Sequence, residues 1–202
     1  ARVTLRTMGA HQVANAVATA AAASCCGVGP HAVAEALSAA TSRSPWRMQV
    51  DERQDGMVVV NDSYNANPDS MAAALDALGP VLANRRRTDP QTRGVAVLGD
   101  MLELGPDSAE LHRQAGARAA RNGFDLVLCV GEHAGDLAAG AAEDGAESRA
   151  LAAEEVARST IWTAHDVVLV KASRALALDT VAEQLLNGPD YQRVADGEGD
   201  RA

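Results

Sequence analysis

Aromatic side chains are nearly missing: one Phe, two Trp and two Tyr make up 2% of the 202 residues. Ala, Val and Leu supply most of the 47% that is hydrophobic, which suits helices packed on a parallel sheet better than an all-β core. That is enough for one good core, or one domain plus part of another. Cationic charge is also short, with 18 Lys and Arg against 27 Asp and Glu and a net charge of -9. Without a basic stripe, a nucleic-acid partner is argued against, although a helix N-terminus with a few cations can still hold a local anion. Cys25 and Cys26 are adjacent, Cys129 lies in an apolar run and none forms a CxxC pair. Buried reduced thiols are therefore expected, not a disulfide framework or a zinc site. The Ala-rich run at residues 14–23 is broken by Asn15 and Thr19 and is too short to span a bilayer, so no membrane insertion is expected. The opening Ala1-Arg2-Val3-Thr4 lacks the charged-then-apolar pattern of a signal peptide. A soluble, cytoplasmic, monomeric protein is expected. The chain starts without Met and directly in a strand-like segment, as a piece of something longer would.

The chain is organised around Asn61-Asp62-Ser63-Tyr64-Asn65-Ala66-Asn67-Pro68. This stretch follows the apolar run Met57-Val58-Val59-Val60 and leads into a helical pattern over residues 69–78, so it reads as strand, loop and helix. Asp62 and the amides of Asn61, Asn65 and Asn67 then sit at the carboxyl end of a strand, the edge where open α/β sheets bind ligands. The local alternative is an Asn/Asp/Pro turn with a helix cap. Upstream, a strand is expected over residues 2–7, a helix over 11–26 ended by Gly27, and a second helix from Pro30 to about residue 39. On the first helix Gln12, Asn15 and Thr19 share a polar face, while Val13, Ala16, Val17 and Ala20 form an apolar stripe. Residues 41–45 read as a linker and domain boundary. Strands at 46–50 and 57–60 flank an Asp55-Gly56 hairpin signal.

Residues 84–93 read as an exposed loop with four arginines. Strands follow at 94–98, 125–130 and 166–170, with a weaker one at 148–151. Helices are expected from 106 or 107 to 122, at 132–139, at 152–162, and from after Arg174 to about 186. A disordered tail is expected beyond. This alternation predicts an α/β fold with a Rossmann-like, doubly wound, mostly parallel sheet. Parallel strands put their carboxyl ends on one edge, so Asp62, Gly99-Asp100, Gly131 and Lys171 should share a rim suited to a polar, zwitterionic ligand. No G-x-G-x-x-G follows any of these strands, which argues against a conventional NAD site.

The loop Asn-Asp-Ser-Tyr-Asn-Ala-Asn-Pro-Asp-Ser-Met at residues 61–71 resembles the signature loop of the Mur ligases, specifically those that add D-alanyl-D-alanine (MurF type). Residues 98–105 (Leu-Gly-Asp-Met-Leu-Glu-Leu-Gly), with Ser108 and His112 beyond, are similar to L-G-D-M-x-E-L-G-x-x-S-x-x-x-H. Residues 170–174 (Val-Lys-Ala-Ser-Arg) are similar to V-K-G-S-R, and residues 9–16 to G-x-H-N-x-x-N-A. The likeness runs over residues 3–187. It implies the C-terminal end of a central ATP-binding domain at 1–44, a Mur ligase C-terminal domain at 45–187 and a disordered tail at 188–202, with a hinge in the 41–45 linker. By that resemblance Gln12 and Asn15 lie near the adenine of ATP, and Arg47 near its phosphates or ribose, with Arg43 a nearby competitor. Asp62 holds the ribose, with Tyr64 and Asn65 close by. Asp100, Lys171, Ser173 and Arg174 help receive the amino-dipeptide or steady the reacting phosphate, while Glu103 and His112 order their loop. Two departures stand out: Gln12 replaces the usual Asn, keeping an amide on a longer arm, and Ala172 replaces a Gly, which alters the loop if that Gly served a positive φ.

The resemblance implies a reaction in which ATP, with Mg2+, phosphorylates the terminal carboxylate of UDP-N-acetylmuramoyl-tripeptide. The amine of D-alanyl-D-alanine then attacks the acyl phosphate, and phosphate leaves, in the synthesis of a peptidoglycan precursor. Positioning and charge stabilisation carry such chemistry. No GxxxxGK[ST] occurs in these 202 residues, and the magnesium ligands are expected elsewhere. The chain alone is therefore expected not to ligate. The alternatives are another ligase of the superfamily, such as one extending a glutamate tail, and a non-catalytic Rossmann-like binding module.

Overall fold

The computed structural model describes residues 1–5, 10–40 and 45–188. Two helices come first, α1 (Ala10–Cys25) and α2 (Pro30–Ala39). Gly27 follows α1 with φ 84°, a left-handed residue of the kind that ends helices. Residues 1–5 have no regular structure, so the strand expected at 2–7 is not formed over that part. Arg6, Thr7, Arg43, residues 41–44 of the linker and the tail from 189 lie outside the described residues. The apolar stripe of α1 is only partly covered: Val13 and Val17 remain 55% and 65% exposed.

Among the described residues, six strands form one sheet. In chain order they are β1 (Gln49–Glu52), β2 (Val58–Asn61), β3 (Arg93–Gly99), β4 (Leu126–Val130), β5 (Glu147–Ala150) and β6 (Asp166–Lys171). Across the sheet the order is β1-β2-β6-β3-β4-β5. The β1–β2 pair is antiparallel and every other pair is parallel. The hairpin signal is borne out: Gly56, at φ 104°, donates its N–H to the Arg53 carbonyl at 2.8 Å between β1 and β2.

Helices cover both faces of the sheet: α3 (Pro68–Thr88), α4 (Ser108–Arg121) and α5 (Ala134–Glu143) one face, α6 (Asp179–Asn187) the other. Side chains alternate along each strand. Val60, Leu98, Val127 and Leu169 face α3–α5, whereas Val59, Val97, Leu128 and Val170 face α6. Burial on both faces explains why the strands read as continuous aliphatic runs. Helices α4 and α5 approach through paired glycines. A Cβ on Gly116 would run into the Leu137 carbonyl, and one on Gly140 into that of Arg113.

Four local expectations are corrected. The helix after Pro68 does not stop near Leu78 but continues through Pro80 to Thr88, absorbing most of the supposed arginine loop. Its last-turn arginines suit the carbonyl end of the helix dipole. They also have fixed partners: Arg85 donates to the carbonyl of Gly56 at 3.2 Å and Arg86 to that of Gly123 at 2.7 Å. Arg93 opens β3 and pairs with the buried Asp166 at 2.8 Å. The strand expected from Trp46 begins only at Gln49, because Trp46 and Met48 take φ values of 59° and 47° that no strand accommodates. The helix expected at 152–162 is a short 3-10 turn, Ala153–Arg158. Cys25 and Cys26 are exposed, and only Cys129 is buried as expected. Burial pushes its thiol up to about 12.

Candidate functional site

The loop between β2 and α3 divides its polar residues between two tasks. Asn61 and Asn67 serve the backbone, as the local alternative predicts. Asn61 Oδ1 accepts from the Ser63 N–H at 3.2 Å and hydroxyl at 2.7 Å. Asn67 Oδ1 accepts the Ser70 N–H at 2.8 Å, and the Asn67 N–H donates to Ser70 Oγ at 3.0 Å. That reciprocal pair, with Pro68 in the first turn, is a capping box that starts α3. With the turn fixed at both ends, Asp62, Tyr64 and Asn65 face a cleft of ≈ 410 Å³, which Asn67 also lines.

Gln12 and Asn15 from α1 line the same cleft, together with Arg47, Met48 and Lys171. All six residues expected at the nucleotide therefore converge, although they come from α1, the 46–48 turn and the β2–α3 loop. The Arg47 guanidinium lies over the Tyr64 ring, 4.2 Å from its centroid, which orders two otherwise exposed side chains. The floor is a buried ion pair. Lys171 Nζ lies 2.6 Å from Asp62 Oδ2, with the two side chains 2% and 14% exposed. The other carboxylate oxygen, Oδ1, accepts the Met48 N–H at 2.9 Å. One carboxylate thereby joins the end of β6 to the turn that leads into the sheet domain.

The remaining candidates occupy the same rim but not this cleft. Asp100 accepts the Glu132 N–H at 2.8 Å and the His133 N–H at 2.9 Å, clamping the entry to α5. Its main-chain carbonyl accepts the Ser173 N–H at 2.9 Å. Gly131 makes this possible: it has φ 112°, and a Cβ there would fall on the Asp100 carboxylate. Ser173 is buried, and its Oγ accepts the Leu102 N–H at 3.0 Å. Arg174 pairs with the buried Asp179 at 2.6 Å and stacks over Trp46 at 4.1 Å.

His112 is fully buried. Its Nε2 accepts the Met101 N–H at 2.8 Å while Nδ1–H donates to the Ser108 carbonyl at 2.6 Å, so the neutral ring holds the loop after β3. In that loop Glu103 is exposed with φ 65°.

The family described as Mur ligase, glutamate ligase domain matches residues 46–174, well over half of the chain. This chain belongs to the Mur ligase family. It is 40% identical to the UDP-N-acetylmuramoyl-tripeptide--D-alanyl-D-alanine ligase of Mycobacterium bovis, over 92% of this chain and 40% of that protein. Its fold is similar to MurF from Acinetobacter baumannii, with TM-score 0.73 and 26% identity over 92% of this chain and 40% of that one. It is also similar to MurF ligase from Thermotoga maritima in complex with ADP, with TM-score 0.57 and 27% identity over 76% and 33% of the two chains. The chain thus spans about 40% of the length of the M. bovis and A. baumannii proteins.

Within the Mur ligase frame, both departures from the family pattern have a local account. Ala172 does not take a positive φ. Its methyl is buried against Gly99, where a second Cβ would leave only 2.7 Å. Gln12 still lines the cleft beside Asn15. Sequence reasoning did not bring Lys171 to the nucleotide candidates, because the adjacency of β2 and β6 is a property of strand order. The lining by Met48 and the stacking of Arg174 on Trp46 had no sequence signal either, since both depend on positive-φ residues in the 46–48 turn. Among the described residues no three His, Cys, Asp or Glu side chains gather as a metal site. Nor is any described helix long and apolar enough to cross a membrane.

Proposed function

We propose that this chain forms part of an ATP-dependent ligase that adds D-alanyl-D-alanine to UDP-N-acetylmuramoyl-tripeptide during peptidoglycan precursor synthesis, acting as a cytoplasmic monomer. Residues 1–44 are the end of its ATP-binding domain, 45–187 its C-terminal domain and 188–202 a tail. The observation that carries this reading is the convergence of Gln12, Asn15, Arg47, Asp62, Tyr64 and Asn65 on one cleft. Amide side chains at one end can donate to and accept from a purine edge. The Asp62 carboxylate can accept ribose hydroxyls, and Arg47 supplies a cation for phosphate oxygens. The name of the M. bovis relative supplies the substrates.

The reaction needs an acyl phosphate and an amine held in line, so the work of these residues is orientation. Among the acceptor-side candidates Arg174 keeps a side chain 48% exposed and can meet a dipeptide carboxylate. Asp100 and Ser173 shape the rim beneath it through their backbone partners. The test is phosphate release from ATP by the complete polypeptide with the UDP-linked tripeptide. Release should require D-alanyl-D-alanine and should not occur with glutamate in its place. Release driven by glutamate would overturn the proposal in favour of a glutamate-adding ligase.

A further inference from the structure

Lys171 is the only lysine in a chain that carries seventeen arginines. Its surroundings give a reason for the exception. The side chain is 2% exposed, and the ammonium has three oxygens within reach: Asp62 Oδ2 at 2.6 Å, the Asn65 carbonyl at 3.0 Å and the Asp62 carbonyl at 3.5 Å. A compact tetrahedral donor fits three acceptors from one short loop, which a planar guanidinium does not. Two of its hydrogens are committed to short bonds with the Asp62–Asn65 loop, and the third faces the Asp62 carbonyl.

We infer that Lys171 is a positioning residue of the nucleotide cleft. It holds the Asp62 carboxylate and the Asp62–Asn65 backbone in the shape that receives ribose, and it does not contact the acceptor dipeptide. This rests on the proposed nucleotide role of the cleft. Asp62 Oδ2 spends one lone pair on Lys171, and Oδ1 spends one on the Met48 N–H. Each carboxylate oxygen has a second lone pair, so a fixed, charged Asp62 can still accept two adjacent hydroxyls. Lys171 occupies the last position of β6 and Asp62 immediately follows β2, its N–H bonded to the Val170 carbonyl at 2.8 Å. The rigid sheet thus transmits its geometry to the loop through this contact.

The test uses the complete polypeptide and its Lys171→Met variant, titrated with ATP, 2′,3′-dideoxy-ATP and D-alanyl-D-alanine by amide-resolved NMR. Wild type should prefer ATP to the dideoxy nucleotide. Lys171→Met should weaken ATP by about tenfold or more, as expected when one partner of a buried pair is removed. It should leave dideoxy-ATP and any dipeptide response unchanged, and without ligand it should move the amides of Met48, Asp62 and Asn65. A purely structural role would penalise both nucleotides equally, and an acceptor role would weaken the dipeptide alone; either result overturns the inference. If wild type shows no preference for the ribose hydroxyls, the nucleotide reading itself fails. The unliganded amides still decide whether Lys171 holds the loop: unchanged Met48, Asp62 and Asn65 signals in the variant would refute it. Should Lys171→Met not fold, Lys171→Met with Asp62→Asn removes both charges. That pair should fold and bind the two nucleotides equally, and a retained preference for ATP would also refute the inference.

Discussion

Replacing Asp100 with Asn separates a structural clamp from a substrate contact. The carboxylate receives two N–H donors, from Glu132 and His133, at 2.8 and 2.9 Å, and it is 6% exposed. An Asn side chain offers one oxygen and one NH2, so one amide would face a donor and lose its bond. Losing a charge-assisted bond costs about 1.5–3 kcal/mol. Removing negative charge from the entry of α5 adds about 0.3–1 kcal/mol. The sum, about 2–4 kcal/mol, is a large part of the ~5–15 kcal/mol that holds a typical domain. With a urea slope of about 2 kcal/mol/M, the unfolding midpoint should fall by about 1–2 M. Equilibrium urea unfolding followed by circular dichroism reads this directly. A midpoint within about 0.3 M of wild type would refute the clamp, and Asp100 would then be free for a ligand.

Gly116→Ala should destabilise the chain by about 3 kcal/mol or more, because the new methyl meets the Leu137 backbone and cannot be relieved by side-chain motion; a midpoint unchanged in urea would contradict the close α4–α5 approach. A thiol reagent at neutral pH should modify Cys25 and Cys26 and spare Cys129, which is buried with its thiol pushed up to about 12; three rapidly reacting thiols in the folded chain would contradict that burial. The Arg53 guanidinium lowers the Asp55 carboxyl to about 2. A depressed carboxyl contributes stability above its ordinary value near 3.8 that is lost as pH falls toward 2. Asp55 is 44% exposed, so the contribution is at most about 1 kcal/mol. Asp55→Asn should flatten the loss of stability between pH 4 and pH 2 by that amount, and an unchanged acid limb would refute it.

The strands were legible because burial on both faces leaves unbroken aliphatic runs such as residues 126–130 and 166–170. Their shared rim followed from parallel pairing, and Asp62, Asp100 and Lys171 do end adjacent or nearby strands. Strand order was not legible, and with it went the contact of Lys171 with Asp62, since 109 residues separate them in the chain. The helix through Pro80 misled for a different reason. Pro and three arginines read as a break, but arginine–carbonyl bonds to residues far along the chain hold the last turn. The 46–48 turn failed as a strand because alternation in sequence carries no information about positive φ at Trp46 and Met48.

The proposed function places the adenosine of ATP in one cleft. A titration of the complete polypeptide with ATP, followed through the side-chain amides of Gln12 and Asn15 and the backbone amides of Asp62, Tyr64 and Asn65, tests this placement. These five signals should shift together along one saturable curve. Shifts at Asp100 and Arg174, with the five cleft signals unmoved, would contradict it.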